Sequence, residues 1–191
     1  MADKNKIRYG LKNVHYAKIT RNEAGTITYG TPVPYKGAVS LTLDAETGDA
    51  TKFYADDSIY YQGAGPNNGY TGTLEMASGD SRDDFDCAVM GYTKDAHGNV
   101  VENSEAEPEP FALLWQFTGD RSGMKYVAYN CLATRASLSG TTKEDTISPA
   151  TDSYSLTVSP AEDTHDVQLK CPSDSSDYAT FFDAVVLKST E

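Results

Sequence analysis

Apolar and polar side chains alternate with period two over most of this chain, which is the signature of half-buried strands. IRYGLKNVHYAKIT alternates Tyr9, Leu11, Asn13, His15 and Ala17 against Gly10, Lys12, Val14, Tyr16 and Lys18. It ends at a polar turn. Thr26–Tyr29 is short and β-branched, Pro32 and Pro34 interrupt it, and Val39, Leu41 and Leu43 resume in phase. In TKFYADDSIYYQGAGPNNGYTGTLEM, Phe53, Ala55, Asp57, Ile59 and Tyr61 share one face, and Tyr70, Gly72, Leu74 and Met76 repeat the pattern after a tip, QGAGPNNG. The pattern predicts a long hairpin spanning 51–76, with arms of roughly 33 Å and Asp57 as the one misfit on its apolar side.

One stretch changes period. In SGDSRDDFDCAVMGY, Phe85, Ala88 and Val89 recur at helical spacing, Ser81 with Asp84 resembles a capping box, and Gly91 offers a stop. Strand signals then return. YTKDAHGNVV forms a hairpin around His97–Gly98–Asn99, and ENSEAEPEP is an acidic loop. FALLWQF places Phe111, Leu113, Trp115 and Phe117 in one phase, and it pairs with GMKYVAYNCLAT, whose Tyr126, Ala128, Asn130 and Leu132 share a face. SYSLTVSP and DVQLKC are further strands, and the end reads as one helical turn through Tyr178, Phe181 and Phe182 leading into a strand AVVL. The expected fold is mainly β, a two-sheet sandwich or barrel-like structure with one packed α-helix and long loops. Residues 1–191 form a single domain in this reading.

Composition narrows the class. The chain has 191 residues, 39% of them hydrophobic, enough for one domain with a real core. Its 28 Asp and Glu against 16 Lys and Arg give a net charge of -12, which opposes general affinity for nucleic-acid phosphates or anionic membranes. MADKNKIRYG lacks the apolar core of a signal peptide, and FALLWQF falls far short of the roughly 20 residues that span a bilayer. No membrane association is expected. Cys87, Cys131 and Cys171, odd in number and widely spaced, read as reduced thiols.

Catalytic signatures are missing: there is no nucleophile elbow, phosphate loop or dinucleotide fingerprint. His15, His97 and His165 sit on separate elements without zinc-ligand spacing. Asp80, Asp83, Asp84 and Asp86 fit the first turn of a helix, where carboxylates complement the dipole, better than a calcium loop. No catalytic residue, metal or cofactor is expected. The 13 tyrosines suit strands, and they also supply stiff contact area for binding. Tyr60 and Tyr61 are adjacent on a strand, so they face opposite sides and at least one of them must find a partner or be exposed.

Several pieces together resemble the major tail proteins of long, non-contractile-tailed bacteriophages of Gram-positive hosts. They are IRYGLKNVHYA, TKFYADDSIYY followed by NNGYTGTLEM, FALLWQF followed by YVAYNC, SGTTKEDTI, and FFDAVVL, in this order over most of the chain. The resemblance implies a tail tube protein whose sheets pair between subunits into hexameric rings stacked as a hollow tube for genome ejection. It implies a homo-oligomer meeting the tape measure, tail terminator and baseplate or initiator proteins, in the tail of a virion assembled in the host cytoplasm. Double-stranded DNA would pass the lumen without specific binding, and a negative wall would let it slide. The immunoglobulin-like domain that some members add at the C-terminus is not expected here.

The self-assembly positions expected from this reading are Asp57, Ile59, Tyr60, Tyr61, Gly65, Pro66, Asn67, Asn68 and Tyr70. Residues 62–69, 102–110 and 139–150 are expected to order on ring or stack formation. Three other readings compete: the tube protein of a contractile injection system, a carbohydrate-binding β-sandwich, and an enzyme with an unrecognised carboxylate pair.

Overall fold

The computed structural model describes residues 8–23, 25–79, 81–119, 123–138, 142 and 149–189. Its main body is a nine-stranded antiparallel sheet with one α-helix, in agreement with the mainly β, sandwich-like expectation. The strands are β1 (Leu11–Arg21), β2 (Ile27–Tyr29), β3 (Val33–Pro34), β4 (Ala38–Thr47), β5 (Lys52–Ala55), β6 (Ser58–Gln62) and β7 (Asn67–Ala77). After helix α1 (Ser81–Val89) come β8 (Thr93–Lys94), β9 (Val100–Val101), β10 (Phe111–Phe117), β11 (Lys125–Ala133), β12 (Thr151–Ser159) and β13 (Gln168–Cys171). The sheet order is β2-β1-β10-β11-β12-β7-β4, with β3 beside β2 on the edge of β1 and β13 beside β12 on the edge of β11.

Two layers arise by curling. In a flat sheet β1 and β4 would stand about 24 Å apart, five strand spacings of about 4.8 Å. Their Cα atoms instead approach within 8 Å. The concave face holds the main core, where α1 drives Phe85 against the strands. Its ring stacks on Tyr35 at 4.7 Å and meets Tyr16, Phe111 and Tyr154 edge-on at 5.1, 5.5 and 5.1 Å.

The opposite face of β1, β10 and β11 carries a second core of Ala17, Ala112, Leu114, Val127 and Tyr129, covered by Phe181, Phe182, Val185 and Val186. A 3₁₀ turn at Ser176–Tyr178 starts this covering segment, and the expected terminal strand AVVL does not form. β1, β10 and β11 already have neighbours along both edges, so the segment lies across their face rather than extending the sheet. The Tyr129 hydroxyl donates to the Val186 carbonyl at 2.8 Å, and the Lys125 ammonium donates to the Tyr178 carbonyl at 2.6 Å while lying 4.0 Å from that ring's centre.

Two bulges correct the expected phases. Asn13, at φ 53°, breaks the β1 register between Lys12 and His15, so Leu11, Val14 and Tyr16 share the main core although an unbroken strand would separate them. In β11, Phe111 opposes Cys131 while Leu113 opposes Ala128, an extra residue that turns Cys131 and Ala133 inward and leaves Leu132 47% exposed. In α1, Ser81 is the first helical residue rather than a cap, and the Asp84 carboxylate takes the Lys94 ammonium at 2.8 Å. Gly91, at φ 75°, ends the helix as expected, and the Asp86 carbonyl accepts from the amides of Met90 and Tyr92.

Candidate assembly surface

The stretch 51–76 is not one hairpin. β7 pairs with β4 on one side, from Ala38↔Met76 to Thr47↔Asn67, and with β12 on the other. The first arm instead folds on itself as β5–β6, with Ala55 opposite Ser58. Asp56 and Asp57 form the two-residue turn at φ 50° and 58°. Positive φ at both central residues is what a type I′ turn requires, and it matches the twist of the flanking strands. Asp57 therefore breaks the alternation because it is a turn residue.

QGAGPNNG is correspondingly not a tip. The Gly48 amide donates to the Pro66 carbonyl at 2.9 Å, and the Gly63 amide to the Thr51 carbonyl at 2.9 Å. A Cβ on Gly65 would stand 1.7 Å from the Gly48 carbonyl oxygen, so only glycine permits this approach. Residues 38–77 thus form one continuous two-stranded arm: its base is built into the main sheet, a glycine waist closes it, and β5–β6 projects beyond.

The projection has no core beneath it. Phe53, Tyr54, Ile59, Tyr60 and Tyr61 are 59%, 61%, 49%, 75% and 60% exposed. No other strand among the described residues pairs with β5 or β6. Five large apolar side chains exposed over the two faces of so short a hairpin are uncovered apolar surface of the kind that marks an interaction site. The outer edge of β4 is also unpaired among the described residues, and it carries the exposed acids Asp44 and Glu46, charges that discourage indiscriminate edge pairing.

The nine positions expected to mediate assembly separate into three groups. Asp57, Ile59, Tyr60 and Tyr61 lie on the projecting hairpin, and Gly65 and Pro66 form the waist. Asn67 and Asn68 begin β7, where the Asn67 side chain accepts the Gly69 amide at 3.0 Å, and Tyr70 lies farther down, lining a cleft at the arm's base. Sequence reasoning missed Phe53 and Tyr54 as exposed positions, because an alternating strand was expected to bury one of its faces.

The acidic cluster resolves into separate roles. Asp83 and Asp84 face outward in the first turn of α1, whereas Asp86 is buried, accepting from Arg82 Nε at 3.1 Å and from the Tyr154 hydroxyl at 3.1 Å. Arg82 also donates to Asp152 at 2.7 Å, and Tyr35 donates to Tyr154 at 3.3 Å. This network ties α1 to β12. Burial raises the Asp86 carboxyl above its ordinary value against the opposing pull of Arg82 and Tyr154, and burial pushes the Tyr35 hydroxyl up to about 12. Asp80 lies outside the described residues. Among the described residues no three His, Cys, Asp or Glu side chains gather as metal ligands. His15 stacks on Phe182 at 4.6 Å, His97 sits in the β8–β9 turn, and His165 precedes β13 at φ 59°.

Residues 102–110 are described: Glu102 pairs with Arg135, and the Glu109 amide donates to the Val89 carbonyl at 2.7 Å. Of 139–150, only 142, 149 and 150 are described. No described helix is long and apolar enough to cross a membrane.

No family model matches the chain, and no curated protein matches it in sequence. Among solved structures it is similar to the sheath/tube terminator of PVC, an extracellular contractile injection system, in the extended state. That likeness has a TM-score of 0.45 at 11% identity, over 83% of this chain and 93% of that one. It is also similar to the tube-terminating cap of the anti-feeding prophage, with a TM-score of 0.42 at 13% identity over 90% and 97% of the two chains. At this level of agreement neither likeness decides fold or function.

Proposed function

We propose that this chain is a structural, non-enzymatic subunit of a phage tail tube, which self-assembles into stacked rings through the projecting β5–β6 hairpin. The observation that carries the reading is that hairpin: five large apolar side chains about half to three-quarters exposed, on strands that no other described strand pairs with and that belong to neither core. Leaving them in water costs burial free energy on the order of 25 cal/mol per Å² of apolar surface, which a neighbouring subunit recovers. The resemblance of the sequence pieces, in their order, to major tail proteins is in keeping with the same reading. A heterologous contact of this kind repeats from copy to copy, closing into rings or continuing along an axis.

In this reading the virion tail is the protein's location. The tape measure, terminator and initiator proteins are its other partners, and double-stranded DNA passes without specific binding. Sedimentation and negative-stain microscopy of the purified protein test it, with and without a tail initiator complex. Rings or tubes are expected. A monomer at every concentration, with the initiator present as well, overturns the reading.

A further inference from the structure

The base of the arm holds a cleft of about 260 Å³ that the strand pattern gave no sign of. Trp115 and Tyr126 stack in it at 5.5 Å, Phe117 meets Tyr126 edge-on at 5.7 Å, and Tyr70 closes the aromatic group. Arg8, over the Phe117 ring at 5.9 Å, and Lys170 supply two cations, and no acid lines the cleft among the described residues. In a chain of net charge -12 this is an unusual local balance. Trp115 is 2% exposed, and its buried indole N–H has no acceptor among the described residues, a state that buried donors rarely keep.

The hairpin tip has the opposite character. Asp56 and Asp57 are exposed at the turn, flanked by exposed Tyr54, Ile59 and Tyr60. We propose that the acidic, aromatic tip of β5–β6 from one copy docks in the Arg8–Lys170–Trp115 cleft of the next copy, its carboxylates meeting the two cations. This rests on the self-assembly reading and names its receptor. Tip and cleft lie on different parts of the chain, so a head-to-tail contact between copies leaves a free tip and a free cleft for further ones. Opposed charges set the partner and register.

Charge reversal tests it, read as the protein concentration at which assemblies appear in sedimentation. Lys170→Glu alone and Asp57→Lys alone are each expected to raise that concentration about tenfold or more. The double variant, and an equimolar mixture of the two single variants, are expected to restore it, since each then offers a complementary tip and cleft. Asp57→Asn keeps a residue that accepts positive φ, and it is expected to give a smaller increase without straining the turn. Unchanged assembly by all three single variants overturns the docking while leaving self-assembly standing, as does impaired assembly that neither the double variant nor the mixture restores. Failure of the unaltered protein to assemble overturns both.

Discussion

Single residues decide where the arm closes and how it turns. Gly65 is the sharpest case, because an added Cβ would meet backbone rather than a side chain that can swing away. Gly65→Ala is expected to open the waist, lost amide-exchange protection at Gly48 and Gly63 being the signal, while protection in β10 and β11 persists. Asp95 plays the corresponding part at the β8–β9 turn, accepting the amides of His97 and Asn99, each at 2.8 Å, and the Asn99 side chain at 2.7 Å. The Asn99 side-chain and backbone hydrogen bonds lower its carboxyl below the ordinary value of 3.8. A depressed carboxyl favours the folded turn above the unfolded value, and that support is lost as pH falls through the folded one. NMR titration of Asp95 should therefore show a midpoint below 3.8, with the shifts of His97 and Asn99 moving together. A midpoint at or above 3.8 contradicts this account.

At the scale of elements, the arm separates into a base that belongs to the fold and a projection that does not. β7 lies between β4 and β12, and a Cβ on Gly72 would stand 1.9 Å from the Thr42 carbonyl oxygen, so base and body are packed at backbone contact. Deleting residues 63–68 would remove the waist and the start of β7, so loss of assembly in that variant would have two causes. Replacing only residues 52–62 with a short Gly-rich link is cleaner. It should leave the thermal midpoint within a few degrees, since no core residue is removed, and abolish rings or tubes in negative stain. The sequence showed strands in this region through their alternation, but not their partners. Alternation reports two faces and is silent about which strand lies alongside, so the 51–61 segment looked like a partner for 70–76 when β4 holds that place.

For the whole molecule, β10 and β11 are buried on both faces, one under α1 and one under the C-terminal segment. Two cores that share the same strands should not melt apart. Phe85→Ala on the one side and Phe181→Ala on the other are each expected to cost about 3–5 kcal/mol and to lower one common calorimetric transition. Two separate transitions would show that the layers are independent. The thiols follow the same geography: Cys131 is fully buried in the main core, where desolvation pushes it up to about 12, so thiol reagents should reach half-buried Cys87 first.

The sequence by itself determined the mainly β class, the position of helix α1 and the core role of the FALLWQF strand, because period, β-branching and turn residues act locally. Tertiary structure alone decided the bulges at Asn13 and in β11, the curling that brings β1 to β4, the path of the C-terminal segment across a sheet face, and the cleft around Trp115. These depend on contacts between residues far apart in the chain, where packing and backbone hydrogen bonding override the local pattern. Asp57 shows both sides of this: its misfit was plain in the sequence, and only the fold made it the tip of an arm.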